Sequence, residues 1–382
     1  MPPLRIGIVA GEASGDLLAA GMIREIRARY PDAIIEGIGG HYMQAQGFTS
    51  LFDMETLSVM GLVEVLGRLP AILKLKKALL AHFAANPPDV FVGVDAPDFN
   101  LRIEAALKKQ GIPTVHYVSP TVWAWREKRI HKIAKATSLV MGVFPFEAPV
   151  YEKYAVPYEF VGHTMADTIP LHPSKDAART ALELNTNQKL LAILPGSRSK
   201  EVSSLLPIFI DAFDKLDSNN NYSAIIPAAN RYRYAQIEAL LADENVCPGH
   251  LRDKIQLVQG HSRDAMIASD AILLASGTAS LEAMLCKRPM VVAYKMSGLT
   301  YKIMQRLYKP DFFSLPNILA NEALVPEVLQ EQVNGDNLAR LLKQQLQKPV
   351  QETEEKFIAL HQSLKCNADA RSADAVLSLI GK

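Results

Sequence analysis

The sequence predicts an α/β protein made of two doubly wound domains, each with a parallel sheet covered by helices. Its strand-like runs are short and apolar along their whole length, as in Ile6–Ala10 and Leu190–Leu194. Such runs are typical of strands buried on both faces, which is the rule in parallel sheets. Helical stretches separate these runs, and the same alternation starts again in the second half of the chain.

Each strand is predicted from an apolar, β-branched run, and each helix from apolar residues that recur every three or four positions. The first half predicts strands over Ile6–Ala10, Ala33–Ile38, Val90–Val94, Thr114–Val118, Leu139–Val143 and Glu159–Val161. Its helices are predicted over Asp16–Tyr30, Ala71–Asn86 and Leu101–Lys109. The second half predicts strands over Leu190–Leu194, Ala224–Pro227, Ile255–Val258, Ala271–Ala275 and Met290–Tyr294. Its helices are predicted over Leu205–Leu216, Arg231–Ala242 and Ala279–Lys287.

The alternation is interrupted once, which places a domain boundary between residues 164 and 188. This stretch carries Pro170 and Pro173 and ends in polar residues before the next strand begins at Leu190. The end of the chain is helical with no strand after it. We therefore expect a first domain over 1–170, a second over 188–350, and a helical tail over 351–382 that packs back on the first domain.

Composition excludes several classes of protein. The 382 residues include 41 basic and 40 acidic side chains, so the net charge of +1 lacks the excess of a nucleic-acid-binding domain. Three cysteines are too few and too scattered for a disulfide framework or a zinc site, and they indicate reduced thiols in a cytosolic protein. No signal-peptide pattern opens the sequence, and no apolar run reaches the ~18 residues of a spanning helix, so we expect neither secretion nor membrane spanning.

Several catalytic motifs are absent from the sequence. It contains no P-loop for ATP hydrolysis, no nucleophile elbow of an α/β-hydrolase and no metalloprotease motif. The nine histidines show no zinc-binding spacing, and no acidic pair has the spacing that binds a metal-nucleotide complex. We therefore expect no metal at the site.

The first β–α turn is a candidate site for a polar ligand. Residues 10–16 (AGEASGD) follow a buried strand and open a helix, where glycines allow close approach and the helix N-terminus favours anions. Because Glu12 would repel a pyrophosphate placed over it, we favour a sugar hydroxyl as the partner of Glu12 and Ser14. The alternative is a structural turn in which Ser14 or Asp16 caps the helix.

Two carboxylates follow the strand Val90–Val94, at the edge where ligands bind in open α/β sheets. Asp95 or Asp98 could accept the proton of an attacking hydroxyl as a general base. The alternative for Asp98 is to cap a helix that begins at Asn100. The local sequence leaves both interpretations open.

Two turns of the second half suit a nucleotide diphosphate. The first, Leu194–Arg198, joins a glycine turn to Arg198, whose guanidinium can bond phosphate oxygens bidentately. The second, Ala275–Glu282, ends a strand and begins a helix, and Glu282 could accept both hydroxyls of a ribose. The alternative for Glu282 is a carboxylate that stabilises the helix dipole. The amides and hydroxyls that suit phosphate in this turn belong to Ser276, Gly277 and Thr278.

Two segments combine apolar and basic residues as membrane-surface helices do. Residues 62–83 place six apolar side chains on one predicted helical face: Leu69, Ile72, Leu73, Leu79, Leu80 and Phe83. Lys76 falls inside this face with Lys77 beside it, and a lysine in an apolar stripe suits an interfacial helix where it can snorkel. The second segment is Tyr301–Phe313, with basic residues Lys302, Arg306 and Lys309. The alternative for both is packing against their own sheet.

Blocks of the sequence, taken together, closely resemble the lipid-A-disaccharide synthases. They span almost the whole chain in the same order: AGEASGD at 10–16, VMGLVEVLGRL at 59–69, VGVDAPDFN at 92–100, HYVSPTVWAWREKR at 116–129, VGHTMAD at 161–167, LPGSR at 194–198, LASGTASLE at 274–282, SLPNILA at 314–320 and CNAD at 366–369. The resemblance implies an inverting, metal-independent and cofactor-free GT-B glycosyltransferase, in which two Rossmann-like domains face a cleft.

The resemblance also implies a reaction and roles for residues. A 2,3-diacylglucosamine would pass from UDP-2,3-diacylglucosamine to 2,3-diacylglucosamine 1-phosphate (lipid X), giving a β-1,6-linked disaccharide phosphate and UDP. The first domain would hold the acceptor, with Glu12, Ser14 and Asp98 at positions tied to activity. We expect Asp98 to be the base, with Asp95 as second choice. The second domain would hold UDP through Ser197, Arg198, Ser276, Gly277, Thr278, Glu282 and Asn317.

The acyl chains of both substrates imply a cytoplasmic enzyme that associates peripherally with the inner-membrane leaflet, in Gram-negative outer-membrane biogenesis. The residues expected to touch membrane or acyl chains are Leu69, Ile72, Leu73, Lys76, Lys77 and Leu80. The sequence leaves a homodimer open and gives no reason to expect a nucleic-acid partner.

Two other functions are weighed against this one. A UDP-N-acetylglucosamine 2-epimerase would share the nucleotide turns but has no need for the basic and apolar helix. A non-catalytic two-domain ligand-binding protein would have no need for Asp98. A nicotinamide dehydrogenase is disfavoured because the dinucleotide-binding glycine pattern is absent.

Overall fold

The computed structural model describes residues 3–57, 62–184, 188–217 and 221–381. The chain forms two compact units. The first holds the residues up to Asp167 together with those from Leu364 onward, and the second holds Thr168–Ser363.

The first unit contains a parallel sheet of seven strands in the order β3-β2-β1-β4-β5-β6-β7. The second contains a parallel sheet of six in the order β10-β9-β8-β11-β12-β13. The strands of the first sheet are β1 Arg5–Ala10, β2 Ile34–Ile38, β3 Thr49–Phe52, β4 Val90–Val94, β5 Thr114–Tyr117, β6 Leu139–Gly142 and β7 Tyr158–Phe160. Those of the second are β8 Lys189–Leu194, β9 Tyr222–Ala228, β10 Ile255–Gln259, β11 Ala271–Ala275, β12 Met290–Tyr294 and β13 Glu327–Leu329.

Helices connect the strands and cover both faces of each sheet. They are α1 Ala13–Arg29, α2 His41–Gln44, α3 Leu62–Ala85, α4 Pro97–Lys108, α5 Ile130–Ala136, α6 Ala148–Lys153, α7 Thr164–Thr168, α8 Lys175–Ala181, α9 Ser199–Leu216, α10 Arg231–Ala242, α11 Gly249–Arg252, α12 Ser262–Ala268, α13 Thr278–Leu285, α14 Gly298–Leu307, α15 Leu315–Ala320, α16 Gly335–Gln347, α17 Val350–Leu364 and α18 Ala368–Ser378. No helix of the described ranges has the length and apolarity needed to span a membrane.

The predicted fold class is confirmed, because both sheets are parallel and doubly wound. Two strands were not predicted: β3 with four residues and β13 with three, each at the edge of its sheet. Short edge strands need few apolar residues, so they leave little pattern in the sequence. Four helices begin at least three residues earlier than predicted: α1 at Ala13, α3 at Leu62, α4 at Pro97 and α9 at Ser199. The first turns of α1 and α9 are polar, so they lack the apolar repeat on which the prediction depends.

The core of the first unit lies on both faces of its sheet. On one face, α1 and α18 pack against the strands through residues such as Met22, Ile23 and Val376. On the other face, α3 and α4 bury Leu79, Phe83 and Ile103 against it. Burying this much apolar surface is the main source of stability of such a unit.

The last helix completes the first unit. Asp167 accepts hydrogen bonds from the backbone N–H groups of Asn367 (2.9 Å) and Ala368 (2.6 Å), where α18 begins. The carboxylate of Asp369 accepts from Arg24 of α1 at 2.8 Å. Gly21 of α1 is required here because a Cβ atom would lie 2.2 Å from the Asp369 carboxylate.

Strand order places two turns side by side in each unit. In the first sheet β1 lies between β2 and β4, and in the second β8 lies between β9 and β11. The turns after β1 and β4 therefore meet at one edge, as do the turns after β8 and β11. Strand order reverses at these points, and ligands of open α/β sheets bind there.

Candidate nucleotide and acceptor sites

The second unit has a cavity of about 460 Å³ beyond the carboxyl ends of β8 and β11. Six of the seven residues predicted to bind UDP line it: Ser197, Arg198, Ser276, Gly277, Thr278 and Glu282. The lining is completed by small and polar residues that include Gly196, Glu201, Gly260 and Ser262. The volume lies within the usual range of ligand sites, about 300–1,000 Å³.

Arg198 stands at the start of α9, where it is the N-cap residue. Glu201, one turn into the helix, accepts a hydrogen bond from the Arg198 backbone N–H (3.3 Å) and one from its Nη1 (3.2 Å). Gly196 precedes it with φ +112°, a left-handed value that glycine adopts readily, and a Cβ there would lie 2.5 Å from Glu201. This turn therefore holds a cation and a helix N-terminus against the cavity, which suits an anion.

The second turn presents another helix N-terminus. Gly277 has φ +143° and is the N-cap of α13, with no atom within 4 Å of the position of a Cβ. The hydroxyl of Ser280 donates to the Gly277 carbonyl at 2.8 Å, which holds the first turn in shape. Because the free N–H groups of a helix start carry partial positive charge, this turn too favours phosphate oxygens.

Glu282 lies in the same cavity and is paired with a residue that sequence reasoning did not select. Arg263 Nε donates to Glu282 Oε1 at 3.2 Å, and the Glu282 side chain is 17% exposed. The alternative assignment, a carboxylate serving the helix dipole, leaves this arginine unexplained. In the parts of the chain that the structure describes, no three His, Cys, Asp or Glu side chains converge as they would around a metal ion.

Asn317 is the predicted UDP-binding residue that does not line this cavity. Its side chain is buried, donates to the Val325 carbonyl (2.9 Å) and to Glu327 (2.7 Å), and accepts from the Val325 N–H (2.8 Å). These bonds occupy its amide group, so in this structure Asn317 fastens α15 to the chain entering β13.

In the first unit, the turn after β4 has an unusual backbone. Asp95 and Ala96 both have left-handed φ values, +52° and +43°. Asn100, fully buried in α4, donates from Nδ2 to the carbonyl of Asp95 at 2.8 Å and to those of Val9 and Val94 at 3.2 Å. Residues with left-handed φ values persist only where the surrounding structure stabilises them, and the hydrogen bonds of Asn100 stabilise this turn.

Asp98 projects from the first turn of α4 with its side chain 90% exposed. Its Oδ1 accepts a hydrogen bond from Nη2 of Arg129. The helix begins at Pro97 with Ala96 as N-cap and no side-chain cap, so the suggestion that Asp98 caps a helix from Asn100 is wrong. Asp98 is thus an accessible, oriented carboxylate, whereas Asp95 is half-buried.

The turn after β1 differs in detail from its predicted form. Glu12 is the N-cap of α1 by backbone geometry and makes no side-chain cap, and Ser14 is exposed in the first turn. Asp16 is buried and accepts from the N–H groups of Gly40 (2.9 Å) and Met43 (3.1 Å). The suggestion that Ser14 or Asp16 caps α1 is therefore wrong, since Asp16 instead anchors the start of α2.

A buried pair of a carboxylate and a histidine packs α4 against strands β4 and β5 of the first sheet. Glu104 of α4 and His116 of β5 are both fully buried, with Oε1 and Nδ1 2.7 Å apart. Burial raises the pKa of Glu104, and His116 opposes that effect. Gly93 of β4 leaves the room they need, because a Cβ there would lie 2.1 Å from Glu104 Oε1.

Sequence reasoning missed four polar residues around these sites. Each of the four lies near a residue that the sequence did indicate. The contact that each makes depends on a partner distant in sequence or on the fold of a local turn. Asn100 and Arg129 stand inside the family-like blocks 92–100 and 116–129, which was the available signal. The four are Asn100, Arg129, Glu201 and Arg263.

The apolar stripe of α3 is divided between two environments. Leu79 and Phe83 are fully buried in the core of the first unit, so for these two residues the alternative, packing against their own sheet, is the one observed. Leu69 and Leu73 are 39% and 43% exposed, and Lys77 is exposed beside them. Three further residues expected to touch membrane are half-buried: Ile72, Lys76 and Leu80. The side chains of residues 62–68 lie outside the described part of the chain.

Comparison with known proteins supports the resemblance to the lipid-A-disaccharide synthases over almost the whole chain. The sequence model described as lipid-A-disaccharide synthetase matches residues 6–376. The chain is 63% identical over 376 residues to the lipid-A-disaccharide synthase of Alteromonas mediterranea, covering 98% of each sequence. It is 52% identical over 381 residues to that of Vibrio cholerae, covering 100% of this chain and 99% of the relative.

Solved structures share the fold at low sequence identity. The UDP-GlcNAc 2-epimerase of Neisseria meningitidis, bound to UDP-GlcNAc, aligns with a TM-score of 0.68 at 15% identity, covering 98% of this chain and 100% of that one. The calicheamicin glycosyltransferase CalG4 aligns with a TM-score of 0.64 at 13% identity, covering 100% and 99%. These neighbours show a GT-B fold with two Rossmann-like domains. With the family match over almost its full length, the chain belongs to the lipid-A-disaccharide synthase family and is a glycosyltransferase.

Proposed function

We propose that the enzyme transfers the sugar of UDP-2,3-diacylglucosamine to the 6-hydroxyl of 2,3-diacylglucosamine 1-phosphate, with inversion at the anomeric carbon. The products are the β-1,6-linked disaccharide 1-phosphate and UDP. The observation that carries the proposal is the cavity of the second unit, in which Arg198, two helix N-termini and Glu282 converge.

The second unit is the donor site in this proposal. Arg198 and the N-terminus of α13 bind the diphosphate, and Glu282 accepts from the ribose hydroxyls. Glu201 supports this role because it accepts a hydrogen bond from Arg198 Nη1, so less side-chain freedom is lost when phosphate binds. Arg263 positions Glu282 in the same way.

The first unit is the acceptor site in this proposal, with Asp98 as general base. Its exposure supports the role, since an acceptor hydroxyl can reach the carboxylate from solvent. Arg129 fixes one carboxylate oxygen, which orients the other. Glu12 and Ser14 lie on the turn after the neighbouring strand β1, where they can bind sugar hydroxyls.

The reaction is a single displacement. Asp98 takes the proton of the 6-hydroxyl while that oxygen forms a bond to the anomeric carbon of the donor. The bond from this carbon to the β-phosphate oxygen breaks on the opposite face, so the configuration inverts. UDP leaves with the electron pair, and Arg198 and the helix N-termini stabilise its charge.

We also propose peripheral contact with the inner-membrane leaflet in the cytoplasm, because both substrates carry acyl chains. Leu69, Leu73 and Lys77 support this contact, since apolar and cationic side chains are exposed together on one helix. Such a surface is attracted to anionic lipid and can bury its leucines among acyl chains.

The reaction is tested in detergent micelles with both substrates, comparing the wild type with Asp98→Asn. We expect disaccharide and UDP from the wild type, and a loss of kcat of about 100-fold or more in the variant, because an amide cannot accept the proton. Asp32→Asn is the matched control: Asp32 is exposed and precedes β2, at the opposite end of the sheet, so its rate should not change.

Each other result has a definite meaning. Full activity of Asp98→Asn would leave the reaction intact and move the base, with Asp95 the next residue to test. A folded wild type that makes no disaccharide would overturn the proposed reaction. Conversion of UDP-N-acetylglucosamine to its 2-epimer by the same preparation would then favour the epimerase.

A further inference from the structure

A second cavity in the same unit is apolar and adjoins the nucleotide cavity. Its volume is about 360 Å³. Ser276 lines both cavities, so the two meet at the turn after β11. The walls of the second cavity are aromatic and thioether side chains, chiefly Tyr294, Met296, Tyr301, Met304, Tyr308 and Phe313. Nothing in the displacement described above uses this space.

Two walls of the apolar cavity are fixed by side chains that hydrogen-bond to their backbone. Glu327 accepts hydrogen bonds from the backbone N–H groups of Phe313 (3.0 Å) and Ser314 (2.9 Å). Gln330, which is buried, exchanges two hydrogen bonds with the backbone of Met296, at 2.8 and 3.0 Å. The cavity is therefore held open by the fold around it.

The remaining wall is α14, which is amphipathic. Tyr301, Met304 and Tyr308 line the cavity from this helix and from the residue that follows it. Ile303 and Leu307 on the same helix are 48% and 46% exposed. Methionine side chains such as Met304 adapt to flexible apolar ligands, so this wall suits such a ligand.

We propose that this cavity binds an acyl chain of the sugar nucleotide donor. The inference rests on the proposed function, which supplies a donor with two acyl chains on its glucosamine. A donor whose diphosphate lies at Ser276–Thr278 has its sugar next to the shared residue Ser276, and an acyl chain can enter the adjoining space. A free fatty acid or a ligand without a nucleotide would lack this connection.

The test measures binding of three ligands by calorimetry, with no acceptor present: UDP, and UDP-glucosamine carrying two butanoyl or two octanoyl chains. We expect the wild type to bind the octanoyl ligand at least about 10-fold more tightly than the butanoyl one, since each buried methylene contributes. Met304→Trp fills the cavity and should reduce this ratio to about 2-fold or less. Its affinity for UDP should stay as in the wild type.

Ile303→Trp is the matched control, because it places the same side chain on the exposed side of the same helix. Met296→Phe fills the cavity from the opposite wall and covers the case in which Met304→Trp does not fold. A wild-type ratio near one, or a ratio that both filling variants leave unchanged, would overturn the proposal. Since these experiments need no turnover, an inactive wild type would refute the reaction while leaving the acyl-chain test decisive.

Discussion

Three arginines at the candidate sites are each held by a carboxylate. Arg198 pairs with Glu201, Arg263 with Glu282, and Arg129 with Asp98. In the proposed function Arg198 binds phosphate, and its bond to Glu201 reduces the entropy that the guanidinium loses on binding. In the other two pairs we propose that the arginine orients the carboxylate: Arg263 orients Glu282 for the ribose hydroxyls, and Arg129 orients Asp98 as the proposed base.

A single histidine of the first unit should make stability depend on pH. Burial lowers the pKa of His163 to about 4 from 6.5, although the nearby Asp167 acts in the opposite direction. The backbone N–H of Met165 donates to Nδ1 at 3.2 Å, so this nitrogen must be unprotonated in the folded protein. Below pH 6.5 His163 is protonated in the unfolded chain, whereas in the folded chain it is protonated only when the pH is near 4. The free energy of unfolding should therefore fall over this window, by about 3 kcal/mol from this residue.

The measurement is urea unfolding of the wild type and of His163→Gln at pH values from 7 down to about 4. The difference in unfolding free energy between the two proteins should shrink as pH falls. Burial raises the pKa of Glu147 to about 8, which favours the folded state at low pH and acts on both proteins alike. A difference that stays constant with pH would show that His163 is protonated equally in both states.

At the scale of elements, α3 presents two faces with opposite environments. Leu75, Leu79 and Phe83 are buried against the sheet, while Leu69 and Leu73 face outward. A helix that only covered its own sheet would carry polar residues at the outward positions. We propose that these two exposed leucines contact lipid.

The double variant Leu69→Ser/Leu73→Ser should bind anionic lipid vesicles at least about 10-fold more weakly than the wild type, because two leucines are withdrawn from the bilayer. Vesicle co-sedimentation measures this, and the thermal midpoint should change little, since neither residue is buried. Leu17→Ser is the control: Leu17 is 46% exposed on α1, away from α3. Equal binding by the double variant would refute lipid contact at α3.

On the scale of the whole molecule, each unit is a parallel sheet with its own core and its own site. The proposed base, Asp98, belongs to the first unit and the cavity proposed to bind the nucleotide belongs to the second, so a variant can change one without changing the other. The first unit is discontinuous, since it is completed by the residues from Leu364 onward. Its α18 buries Ala373, Val376 and Leu377 in the same core as β1.

A chain that ends at Ser363 should destabilise the first unit alone, by on the order of 5 kcal/mol from lost apolar burial. Hydrogen exchange should report the loss as faster exchange in α1 and β1, with protection in β8 and β11 unchanged. Affinity for UDP should be preserved, because its cavity lies in the second unit. A chain that ends at Ile380 is the control. Slow exchange of α1 in the chain that ends at Ser363 would contradict the prediction.

The sequence by itself determined the fold class and most of the strands, and it marked the turns that we propose carry chemistry. These are local properties: an apolar run such as Leu190–Leu194 is buried wherever it lies, and Gly196 and Arg198 indicate a turn that suits phosphate before any packing is known. It also carried enough family-like blocks to identify the enzyme class. It did not reveal β3 or β13, whose few residues pair only at a sheet edge.

Only the tertiary structure decided which of these local features meet. The turns after β8 and β11 are about 80 residues apart and share one cavity because these strands are neighbours in the sheet. It placed Asn317 in the packing of α15, divided the leucines of α3 between core and surface, and brought Arg129 to Asp98. Each of these outcomes depends on partners that are distant along the chain, and packing in three dimensions selects them.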